Sequence, residues 1–238
     1  TGHTGFKGAW LSLLLVERGH RVSGISLDPE PGSLFETANL GDIFYKDLRV
    51  DIRNQNDLSN ALIEVNPDVV MHLAAQPLVR KSYANPRETF ETNVNGTLNL
   101  LEVLSKLNNL KACLIVTTDK VYRNINQEEG YLETDPLGGD DPYSASKAMA
   151  DILTQSWAKS FPSVPLAIAR AGNVIGGGDV CEDRLLPDII RAFSKGEDLT
   201  LRYPNAVRPW QHVLDCVNGY LALVDELIEG RAQGAWNF

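Results

Sequence analysis

Apolar runs and the breaks between them divide the chain into alternating helices and strands. Ala9 to Arg18 is apolar almost all round, as in a helix sandwiched against a sheet, and Gly19 suits its C-cap. Arg21 to Leu27 predicts a strand, and Tyr45 to Asp51 another short one. Asp57 to Val65 has helical amphipathic spacing, and Asp68 to Leu73 follows Pro67 as a strand turned by Ala74-Ala75-Gln76-Pro77. Asn85-Pro86, a cap and a first-turn proline, predicts a long helix to about Asn108. Cys113 to Val116 predicts a buried strand closing on Thr117-Thr118-Asp119-Lys120. After a polar, Gly-rich loop over 124–141 come a helix from Tyr143 to Ser160 and a strand from Leu166 to Arg170.

This alternation predicts an α/β protein: a Rossmann-like, doubly wound parallel sheet with helices on both faces. Such sheets bind ligands beyond the carboxyl ends of their strands. The segments that follow predicted strands, among them Ala74-Ala75, Thr118-Asp119-Lys120 and Asn173, should therefore converge on one edge. From about Val174 the composition changes. Gly176-Gly177-Gly178-Asp179 reads as a flexible joint, Arg184 to Phe193 as a helix, and Arg202, Arg208 and His212 as loop–strand–loop cations suited to a diphosphate. The expected division is a cofactor-binding domain over 1–173 and a smaller, partial substrate domain over 174–238.

The chain opens Thr1-Gly2-His3-Thr4-Gly5-Phe6-Lys7-Gly8. Glycines at this spacing permit a tight turn, close approach of backbone to a pyrophosphate, and helix–sheet contact. Such a turn ordinarily follows a buried strand. That strand, and a portion beyond the strand-like Gly234–Phe238, are expected to lie outside this chain, which reads as a fragment. A dinucleotide would run along Gly2, Gly5, Phe6 and Gly8 and past Leu73, Ala74 and Ala75, with Asp51 and Ile52 near the adenine. For the ribose the choice between Ser26 and Asp28 stays open, and with it NAD against NADP. His72, inside an apolar strand, reads as a satisfied core histidine.

Tyr143 and Lys147 stand four apart in a predicted helix, so they share one face. An ammonium near a phenol favours phenolate, so Lys147 is expected to lower the Tyr143 pKa and make it a base near neutral pH. The 238 residues carry a net charge of -9, which disfavours nucleic acid or an anionic membrane as partner. Cys113, Cys181 and Cys216 have no metal-ligand spacing and suggest a reduced, cytoplasmic protein without a metal. No apolar stretch is long enough to cross a membrane.

Six stretches run in order: the opening Thr1–Gly8 turn, His72-Leu-Ala-Ala-Gln-Pro77, Asp119-Lys120, Gly138-Gly-Asp-Asp-Pro-Tyr-Ser-Ala-Ser-Lys147, Arg170-Ala-Gly-Asn-Val-Ile-Gly-Gly-Gly-Asp179 and Arg208-Pro-Trp-Gln-His-Val213. With them the chain resembles the CDP-glucose 4,6-dehydratases, within the extended short-chain dehydrogenase/reductase superfamily. The related dTDP-glucose dehydratases carry Glu where Lys120 stands. The resemblance implies NAD as cofactor, CDP-glucose as substrate and a homodimer paired through the helices from Pro86 and Tyr143. It implies Tyr143 as the base at the sugar 4-hydroxyl, with Lys147 at the nicotinamide ribose and Thr118 on the 4-oxygen. Asp119 and Lys120 would be the acid and base that remove water across C5–C6, in either assignment. Gln76, Asn173, Arg184, Arg208 and His212 would contact substrate. Two other readings are a nucleotide-sugar epimerase and a non-enzymatic NAD-binding regulatory module.

Overall fold

Strand order explains how distant segments of this chain reach one cleft. The computed structural model describes residues 1–162, 164–201 and 203–238. Its strands are β1 (Ser23–Ser26), β2 (Lys46–Arg49), β3 (Val69–His72), β4 (Ala112–Val116), β5 (Leu166–Arg170), β6 (Asn173–Ile175), β7 (Trp210–His212) and β8 (Gly234–Asn237). Its helices are α1 (Phe6–Glu17), α2 (Leu34–Thr37), α3 (Gln55–Val65), α4 (Val79–Ala84), α5 (Pro86–Phe90), α6 (Gly96–Leu104), α7 (Pro142–Ser160), α8 (Leu185–Lys195) and α9 (Val213–Ile228). All strand pairs are parallel, in the orders β1-β2, β3-β4-β5-β8 and β6-β7. Thr1–Gly2 lies between the first two sheets: the Gly2 amide donates to Ile25 O at 2.9 Å, and Leu73 N donates to Thr1 O at 3.2 Å.

Residues alternate between two cores, as the period of a strand requires. Leu114, Val116, Ala167 and Ala169 face α1 and α9, while Cys113, Ile115 and Leu166 face α3, α6 and α7. Every residue of β4 and β5 is buried, which suits strands covered on both faces. Gly19 follows the α1 C-cap at φ +81°, and His20 N closes the turn onto Leu15 O at 3.0 Å.

Three expectations are corrected. The helix from Pro86 runs on through a π turn at Glu91–Asn95 into α6 and ends at Leu104 rather than near Asn108, and Asn85 makes no side-chain cap. Glycines 176–178 are a packed crossing rather than a flexible joint. A Cβ on Gly176 would sit 2.5 Å from Val213 Cγ1, Gly178 has φ +80°, and Trp10 Nε1 donates to Gly177 O at 2.9 Å. The 173/174 boundary also fails. The unanticipated α9 buries Val213, Cys216, Val217, Tyr220 and Leu221 in the core beneath α1, and β8 pairs with β5. Residues 213–238 therefore complete the main α/β unit, and what projects from it is the stretch around α8 and β7.

Candidate active site

The carboxyl ends of β1, β3, β4 and β5 border one cleft, entered by the glycine turn. Gly2 has φ +76°, and a Cβ there would lie 2.6 Å from Ala74 N; a Cβ on Gly8 would overlap the Gly2 carbonyl. The turn is thus closed against Ala74 by backbone alone. Gly5 caps α1 without a side-chain bond, and the first helical turn holds no acid. Its amides are free for a phosphate, and this cradle fits a dinucleotide pyrophosphate. His3 is spoken for: buried between Phe35 and Phe44, its Nε2 lies 2.7 Å from Asp47.

At the end of β1 the two ribose candidates separate. Ser26 is buried with its hydroxyl 2.7 Å from Thr4 Oγ1, whereas the Asp28 side chain is 89% exposed and pairs with Arg49 at 3.3 Å. Of the two, Asp28 is the exposed one. Asp51 pairs with Arg53, which holds its carboxyl below the usual range, and Ile52 is buried against Gly96. His72 is a satisfied core histidine, with its ring nitrogens 2.8 Å from Thr1 Oγ1 and 3.3 Å from Thr97 Oγ1.

Gln76 is structural in this arrangement. Its side chain bonds Leu78 N and O and Thr89 Oγ1, and its backbone is held by Asn93, whose Nδ2 also reaches Ser146 Oγ at 2.9 Å. Both N–H groups of the Gln76 amide are engaged, and its oxygen accepts one bond. Beyond β4, Thr118 Oγ1 donates to Asp119 Oδ1 at 3.0 Å, and the Lys120 ammonium stands 6.0 Å from the centroid of the Tyr143 ring. The α7 start that carries Tyr143 is fixed by a reciprocal cap between Asp141 and Ser144.

The expected electrostatics of the Tyr–Lys pair are overturned. Burial pushes Tyr143 up to about 12, against the pull of the Thr118 hydroxyl. Burial, then the nearby Lys7, draws Lys147 down to about 7, while its ammonium donates to Val116 O at 3.0 Å. Desolvation, which penalises the charged form, is the largest influence on each. Under Lys147, Asp151 takes two bonds from Arg170 at 2.8 Å and one from Thr117 at 3.1 Å, all buried. Arg170 also reaches Tyr122 Oη at 2.9 Å and Glu133 O at 3.0 Å, tying the 124–141 loop to the sheet.

Of the remaining candidates, Arg184 is close enough to Tyr143 to act on it electrostatically, and it pairs with the buried Asp179 at 3.0 Å. Asn173 sits in β6 opposite Trp210. Arg208 is exposed and bonds the neighbouring Val207 O; His212 accepts from Leu214 N as the cap of α9. Arg202 lies outside the described residues. Sequence reasoning missed Lys7 and Tyr220, joined at 3.2 Å across α1 and α9, and the Asp151–Arg170 pair. A lysine inside the apolar Gly-Phe-Lys-Gly turn was the available signal.

The model of the NAD dependent epimerase/dehydratase family matches residues 1–238. The chain belongs to this family. A CDP-glucose 4,6-dehydratase of Salmonella typhimurium is 46% identical over all of this chain and 69% of its own length. A dTDP-glucose 4,6-dehydratase of Xanthomonas campestris is 30% identical over 100% and 69%. A double mutant of the dTDP-glucose 4,6-dehydratase DesIV of Streptomyces venezuelae, crystallised with NAD bound, matches 99% of this chain and 73% of its own with TM-score 0.85 at 27% identity. Membership makes NAD the cofactor, consistent with the glycine cradle and the exposed Asp28. Among the described residues no helix is long and apolar enough to cross a membrane.

Proposed function

We propose that this protein dehydrates CDP-glucose to CDP-4-keto-6-deoxyglucose. The observation that carries the reading is the Thr118-Asp119-Lys120 turn placed against the buried Tyr143, where an acid and a base stand beside a redox tyrosine. The similarity to the Salmonella enzyme supports CDP as the nucleotide.

Gly2, Gly5, Phe6 and Gly8 would hold the cofactor pyrophosphate, Asp28 the adenosine ribose, and Lys147 the nicotinamide ribose. NAD held there would supply the acceptor for the C4 hydride and the donor for its return at C6. Thr118 orients the sugar 4-oxygen, and Tyr143 accepts the 4-hydroxyl proton. Tyr143 can do so only as it gives up its own proton, because burial favours the phenol. Lys147, on the same helix face and near neutrality, is suited to carry that proton away. The resulting 4-ketone acidifies the C5 hydrogen. Lys120 takes that proton as base, and Asp119 protonates the departing 6-hydroxyl, so one water leaves. Arg184 and Arg208 are the cations offered to the diphosphate, with Asn173 beside them.

The α7 face bearing Met149 and Ile152, each about half exposed, offers the apolar seam of a homodimer. Light scattering should give twice the protomer mass, and a monomer at micromolar concentration removes this part of the reading. For the activity, the test is incubation with CDP-, dTDP-, UDP- and GDP-glucose. Keto-sugar should form fastest from the CDP compound; no keto-sugar from any of the four sinks the dehydratase assignment.

A further inference from the structure

Lys7 is the second residue of α1, in the turn that faces the cofactor phosphates. A lysine there could reach solvent. Its ammonium instead runs inward between α1 and α9, donating to Tyr220 Oη at 3.2 Å and standing 5.7 Å from that ring's centroid. Tyr220 is fully buried and set edge-on to Phe238, so the anchor is fixed. Burial keeps the Tyr220 phenol neutral, far above its ordinary pKa, so the hydroxyl offers a dipole and no counter-charge. Among the described residues no carboxylate lies within ion-pairing distance of Lys7. Burial lowers the pKa of Lys7 from its ordinary 10.5, Cys216, Arg184 and Asp119 act on it through space, and Lys7 in turn acts on Lys147. Asp119 and Arg184 also act on Tyr143, and Lys147 stands one turn along the same helix.

We propose that Lys7 is a positioning residue of the redox step: tied to Tyr220, it holds an uncompensated positive charge at the nicotinamide end of the cleft and biases bound cofactor towards its reduced form. This rests on the reading that the cleft holds NAD. A nicotinamide ring is a cation when oxidised and neutral when reduced. A fixed cation nearby, in a poorly solvated pocket, therefore disfavours the oxidised ring alone. Oxidation of the sugar at C4 gains what the oxidised ring loses, and the charge does this without touching substrate. A lysine that only filled space between α1 and α9 would leave both forms equally bound.

The experiment measures Kd for NAD⁺ and for NADH by titration calorimetry on wild type, Lys7→Met, Lys7→Gln and Lys7→Arg. The ratio Kd(NAD⁺)/Kd(NADH) should fall by on the order of 10-fold in the Met and Gln variants and stay near wild type in Arg. Both constants come from the same preparation, so an unfolded fraction cancels from the ratio. Either neutral variant suffices if the other does not fold. An unchanged ratio in a neutral variant, even with both affinities weakened together, overturns the inference and leaves Lys7 a packing residue. A wild-type protein that binds neither form overturns the cofactor reading itself, and this inference with it.

Discussion

Replacing Lys147 by Met should abolish the chemistry and make the fold more stable. The lysine is 7% exposed, and burial draws its pKa from 10.5 to about 7. A folded state that binds the proton more weakly than the unfolded chain is penalised wherever the unfolded lysine is charged. At about 1.4 kcal/mol per pH unit the penalty is on the order of 4–5 kcal/mol at pH 7 and below. It shrinks as pH rises from about 7 and is gone above 10.5. Met keeps the apolar stem and removes the penalty, while the Val116 carbonyl loses its donor at a cost of about 1 kcal/mol. The net gain near pH 7 is about 3 kcal/mol, or a rise in Tm on the order of 10 °C for a chain of this size. The assay is thermal and urea unfolding of both proteins from pH 6 to 10. Their difference should be largest at pH 6–7 and close towards pH 10, reversing slightly where the lost hydrogen bond alone remains. Parallel curves, or a variant less stable at pH 7, would refute the claim that desolvation governs this lysine.

Three further outcomes follow from the same geometry. Lys120→Ala should slow product formation ~10²–10⁴-fold with CDP-glucose and NAD binding little changed, and reduced-nicotinamide absorbance should accumulate in a stopped-flow single turnover; wild-type turnover without accumulation returns Lys120 to the surface. Gly8→Ala places a methyl on the Gly2 carbonyl and should remove measurable NAD binding, with far-ultraviolet circular dichroism checking that the fold persists. Arg170→Met strips the buried Asp151 of its partner and should cost roughly 3–5 kcal/mol by urea denaturation, whereas Asp151→Leu combined with Arg170→Met should recover much of it.

The alternation of strands and helices was legible because β4 is a short, wholly apolar run, β5 is one up to its final Arg170, and the helices keep a helical period. The cleft edge was legible for the same reason: Ala74 and Thr118 both follow strands. Helix α9 escaped notice although its apolar spacing is plain, because the Arg208–His212 stretch before it drew a diphosphate reading. The contacts that hold Gln76 were not legible because its partners Asn93 and Thr89 lie well along the chain. The Tyr143–Lys147 expectation failed on a quantity that spacing does not contain. Helical spacing puts the two on one face, but the depth of burial decides which charge survives.

The most direct test of dehydration is the wild-type reaction with CDP-glucose in heavy water, followed by mass spectrometry and proton NMR of the nucleotide sugar. The product should be lighter by one water and carry one solvent deuterium at C5, with the C4 hydrogen moved to C6. A sugar of unchanged mass with inverted C4 and no deuterium at C5 would contradict the account and make the protein an epimerase.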